Sequence, residues 1–126
     1  MLTSDPGPAS GLAGVQIAAT SFVAKIRQLA YPATLTALPT NLGNQDHVPM
    51  ALNGANTVAD IIQLAWLIIG SLALAVTQWT YLDRRRIERG TIWADLSTNF
   101  HPLHHDRALA AEVRQAARTL EGMSIG

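Results

Sequence analysis

Between Ile61 and Leu82 the chain carries no charged residue. Ile61, Ile62, Leu64, Trp66, Leu67, Ile68, Ile69, Leu72, Leu74 and Val76 cover every side of a helix wound at about 100° per residue. A helix apolar all round is either enclosed by a large core or set in a bilayer. At 1.5 Å per residue, about 22 residues reach roughly 33 Å, enough to cross a hydrocarbon core. Arg84, Arg85 and Arg86 just beyond it then read as a cytoplasmic anchor, with Trp79 and Tyr81 as interfacial aromatics. Gln63, Thr77 and Gln78 speak instead for a packed bundle. The small residues Gly70, Ser71, Ala73 and Ala75 permit close helix contact in either solvent. On these residues alone both readings stand.

Composition narrows the function classes. A chain of 126 residues is one domain's worth, yet 48% hydrophobic content against 14% charge is more apolar surface than this length hides by itself. The net charge is zero, so there is no basic face for nucleic acid. With no cysteine, disulfides and thiolate metal sites are excluded. Residues 1–6 show neither a basic nor an apolar signal region, so no secretory leader is expected and the default compartment is the cytoplasm.

The elements follow from periodicity and punctuation. Residues 1–9, with Gly7 and two prolines, are expected to be a flexible N-terminus, and 10–126 a single helical domain. Ser10 can cap a first helix over 11–30, where Val15, Ala18, Phe22, Ile26 and Leu29 recur at three- and four-residue steps until Pro32 ends it. Residues 31–55 hold Pro32, Pro39, Gly43, Pro49 and Gly54 and read as a long ordered loop, a length that is usually functional or disordered. The apolar helix follows over 56–86 and is expected to be buried. C-terminal helices fill 91–121: a short one at 92–96 and a last one from Arg107, with Asp106 as its cap and Leu109, Val113, Ala116 and Leu120 on one face.

Two polar clusters are candidates for chemistry. Residues 40–50, Thr-Asn-Leu-Gly-Asn-Gln-Asp-His-Val-Pro-Met, are stiffened by Pro39 and Pro49 and present the amides of Asn44 and Gln45 with the titratable Asp46 and His47. A rigid loop of this kind is where binding residues sit, or it is a solvated turn held by local Asn and Asp bonds. The second cluster is His101, His104, His105 and Asp106. Zinc needs ligands on separated anchors at defined spacing, so this proline-containing turn reads as solvated surface and no metal is assigned.

From Gly11 to Glu121 the chain resembles the C-terminal part of the aromatic amino-acid ammonia-lyases and aminomutases that use 4-methylideneimidazol-5-one (MIO), most closely the histidine ammonia-lyase branch. The resemblance is carried by Ser10-Gly11, Ala30-Tyr31-Pro32-Ala33, Leu38-Pro39-Thr40, Asn44-Gln45-Asp46-His47-Val48-Pro49-Met50, the apolar helix closing on Leu82-Asp83-Arg84, and Asp106-Arg107. It implies an all-α fold, a long-helix bundle segment completed by partner chains, which favours a core over a membrane for the apolar helix. It also implies that Ala9-Ser10-Gly11, although it matches the tripeptide that cyclises to MIO, opens a helix instead.

In this likeness Asn44 and Gln45 face the MIO and the substrate amino group, while Asp46, His47 and Met50 bind substrate or support the loop. The MIO itself is expected on a larger partner chain that carries the N-terminal portion, in a hetero-oligomer acting on an aromatic amino acid. Three departures stand out: the first three quarters of the family's length is not present, Gln45 occupies the position of a histidine-type glutamate, and Pro49 and Ala51 replace a serine and a glycine. Two alternatives accompany the split enzyme: a non-catalytic paralogue that docks on a full-length relative, and a small single-pass membrane protein.

Overall fold

A computed structural model describes residues 2–3, 7–44, 51–84 and 86–124. Among the described residues it holds helices α1 (Ala13–Leu29), α2 (Ala51–Leu82), α3 (Ile92–Asn99) and α4 (Ala110–Ser124), with a short 3-10 turn at Ala33–Thr36. The all-α expectation is met. α2 is the axis: α4 and α1 pack along it, α3 touches both α2 and α4, and the 3-10 turn rests on its amino-terminal part.

The boundaries depart from the sequence reading at both ends of α2. It starts at Ala51, not Asn56, because Gly54 sits within the helix, where Ala33 comes to 3.6 Å from the place a Cβ would occupy. It stops at Leu82, not Arg86. Arg84 takes a left-handed φ of 53°, the conformation that closes a helix, and its N–H donates to the Tyr81 carbonyl at 3.1 Å. In the N-terminal stretch, Leu2 packs against the core.

One side of α2 makes the core. Leu74 lies at its centre with Leu12, Leu96, Phe100, Leu103, Leu109, Val113 and Ala116 around it. The α2–α4 contact is close because Gly70 lacks a side chain. A Cβ there would stand 2.6 Å from the Val113 carbonyl oxygen and 2.9 Å from the Ala117 nitrogen. Small residues set the helix separation, and the larger apolar residues fill the space beside them.

The polar residues of this face are all satisfied. Ser71 and Thr77 donate to the carbonyls of Leu67 and Ala73 one turn back, at 2.8 and 2.9 Å. Gln78 is fully buried; its Nε2 donates to the Leu103 carbonyl at 3.1 Å and its Oε1 accepts the Leu103 N–H at 2.8 Å. The side-chain amide thus pairs with one backbone residue as a neighbouring strand would, and holds the α3–α4 connection against α2.

The other side of α2 is uncovered. Val58, Ile62, Ala65, Ile69 and Leu72 recur at alternating four- and three-residue steps, the spacing of a helix-packing seam. Val58 is 54% exposed and Leu72 63%. Only 22% of the most apolar window of α2 is buried, so burial of this helix is not achieved among the described residues. By length and composition α2 could cross a membrane, a test that the core helix of a soluble bundle also passes.

Candidate functional site

The candidate loop, described over residues 40–44, precedes α2 in the chain. Its approach is anchored by the 3-10 turn on α2, with Leu35 donating its N–H to the Pro32 carbonyl at 3.1 Å. Residues 41–43 then all take left-handed backbone, Asn41 at φ 55°, Leu42 at 56° and Gly43 at 82°. Glycine does so freely and asparagine readily, but a leucine costs about 1 kcal/mol. Two bonds hold the turn: Gly43 N–H to the Thr40 carbonyl at 3.2 Å and Asn44 N–H to the Asn41 carbonyl at 3.0 Å. Leu42 and the Asn44 amide are exposed at its tip. Gln45, Asp46, His47 and Met50 lie outside the described residues.

The carboxylate of Asp106 forms a second polar centre. It caps not the helix that follows it but the start of the fold: the N–H groups of Ser10 and Gly11 donate to Oδ2 and Oδ1 at 2.8 and 2.9 Å. These two bonds, Ser10 first, hold its carboxyl below the usual carboxylate range. Ser10 in turn does not cap α1 with its hydroxyl; its carbonyl accepts the Ala13 N–H at 3.1 Å. Gly11 takes φ 57°, and a Cβ there would meet the Leu2 carbonyl oxygen at 2.9 Å. The local sequence cue of a carboxylate before a helix was sound chemistry, but its partners lie 95 and 96 residues away.

This geometry bears on Ala9-Ser10-Gly11. Closing an imidazolone from such a triad requires the third residue's nitrogen to attack the first residue's carbonyl carbon. The Gly11 nitrogen is engaged with Asp106 instead. Next to it, Arg107 donates to Glu112 at 2.9 Å and to the His101 carbonyl at 2.6 Å, and lies 5.7 Å from the Phe100 ring centroid. His104 meets the Tyr81 hydroxyl at 3.3 Å, the rings edge to face. The histidine-rich turn is therefore divided among separate partners, and among the described residues no three potential ligands gather to hold a metal.

Comparison with known proteins places these features in one frame. Residues 1–114 match the family model for aromatic amino acid lyases, and the chain belongs to that family. A histidine ammonia-lyase of Paracidovorax citrulli (strain AAC00-1) is 35% identical over 83 residues, which are 66% of this chain and 16% of that protein. The fold matches the crystal structure of histidine ammonia-lyase from Trypanosoma cruzi with a TM-score of 0.85 at 20% identity, over 98% of this chain and 25% of that one. The chain thus spans a small part of the length of either relative.

Proposed function

We propose that this chain is the C-terminal part of a cytoplasmic MIO-type aromatic amino-acid ammonia-lyase or aminomutase, supplying the Asn44-Gln45-Asp46 loop to an active site whose MIO is on a larger partner chain. The observation that supports this best is the seam on α2. A chain whose fold corresponds to 25% of a known lyase leaves bare a continuous apolar stripe suited to further helices.

The donor set fits an imidazolone and an amino group. Asn44 presents a neutral amide, able to donate and accept, from a stiff turn. The MIO supplies an electrophile that promotes loss of the substrate amine. Asn44 and Gln45 orient the substrate amino group by hydrogen bonds. An amide has no useful pKa as a general base, so these residues position rather than transfer protons. The roles this reading leaves to Asp46, His47 and Met50 are substrate binding or support of the loop.

The test is turnover in the assembled complex. Gln45→Ala should lower kcat by on the order of a hundredfold, the usual consequence of deleting one preorganised donor, while assembly is retained. Parent-like ammonia release from that variant would remove Gln45 from the site.

A further inference from the structure

We propose that the cleft between the end of α2 and the start of α3 binds a small zwitterion with an aromatic side chain, an α-amino acid, at a site separate from the polar loop. The two places are about 40 Å apart along α2. The argument does not depend on the lyase reading.

The cleft is made by the way α2 ends. The Asp83 N–H donates to the Trp79 carbonyl at 2.9 Å, and the left-handed Arg84 then turns the chain. Residues 86–88 come alongside Val76 and Trp79 and lead into α3, whose first turn carries Trp93. The cleft is open to solvent and has a volume of about 440 Å³, within the range of small-molecule sites.

Its lining has three parts. Val76 and Ile87 are half-buried and give an apolar floor. Trp79 and Trp93 are 44% and 41% exposed, an unusual disposition for two indoles facing one cavity. Arg86 and Glu88 are exposed and bring both signs of charge; neither side chain has a hydrogen bond or ion pair among the described residues. The hydroxyls nearby are already committed, Thr91 to the Glu88 carbonyl at 2.8 Å and Thr80 to the Thr77 carbonyl at 2.7 Å. The charged functions lining the cleft among the described residues are therefore one guanidinium and one carboxylate.

That set selects its ligand. A carboxylate takes the Arg86 fork in two parallel bonds, and an ammonium pairs with Glu88 and can lie over an indole face. A flat side chain fills the space between the indoles. An apolar acid or an amine alone satisfies only one of the two charges.

The test uses the full chain, with its partner where one co-purifies, labelled with 5-fluorotryptophan and titrated with L-phenylalanine. Trp66, elsewhere on α2, is the internal reference. Saturable shifts of the Trp79 and Trp93 fluorine signals, with Trp66 unmoved, are expected. Arg86→Gln and Glu88→Gln should each weaken binding about tenfold, as should 3-phenylpropanoate and phenethylamine in place of the amino acid. Absence of saturation, equal movement of all three signals, or unchanged affinity in both charge variants would overturn the assignment.

Discussion

The two sides of α2 are both apolar, yet they are built differently. The inner side uses Gly70, Ala73 and Ser71 to bring α4 against the helix backbone, and commits every buried polar group to a partner. The outer side keeps larger residues, Val58, Ile62, Ile69 and Leu72, at packing-seam spacing, and leaves them in contact with solvent. A face with no tolerance for added atoms folds this chain. A face with full-sized side chains at regular spacing is complementary to something beyond it. Hydropathy alone does not separate the two; fit does.

That contrast can be broken most strongly at Gly70. In Gly70→Ala the new methyl would meet backbone atoms of Val113 and Ala117, which cannot swing aside, so a loss of about 3 kcal/mol in denaturant unfolding is expected. Next is Gln78→Leu, which keeps the volume but strands the Leu103 N–H and carbonyl. A loss of about 2 kcal/mol, with faster amide exchange at Leu103, would show it.

The Asp106 clip gives a smaller effect with a defined pH signature. Its folded pKa is depressed, so its contribution is present above the unfolded value near 4 and lost as pH falls through the folded one. Asp106→Asn should remove that acid-side fall from a plot of stability against pH. On the outer side, Leu72→Gln should change the stability of the chain by less than about 0.5 kcal/mol while abolishing co-purification of a partner. A large stability loss there would mean that the outer face is part of this chain's own core.

Much of the architecture was legible in the sequence because it rests on local rules. The apolar run and the stripe of Leu109, Val113 and Ala116 each dictate an element without reference to distant residues. What escaped was non-local. Asp106 carries the signature of a local cap, and only the fold reveals that it serves Ser10 and Gly11. Gln78 counted merely as a polar interruption of an apolar helix, although its amide closes onto Leu103. Gly54 looked like a loop marker because glycine weakens helices, whereas packing of the 3-10 turn accommodates it inside α2. Of the candidate site, the strained turn at Asn41 and Leu42 was not foreseen, since neither residue type demands a positive φ.

The central claim, that this chain contributes its loop to a lyase site whose reactive group is carried elsewhere, is tested most directly by purifying the tagged chain from its native host. The intact mass of whatever co-elutes is then measured. The account predicts a larger chain of the same family, lighter than its sequence by two waters, with ammonia released from an aromatic amino acid by the complex. A partner that already holds its own Asn-Gln-Asp loop, or recovery of this chain alone and only in detergent, would contradict it.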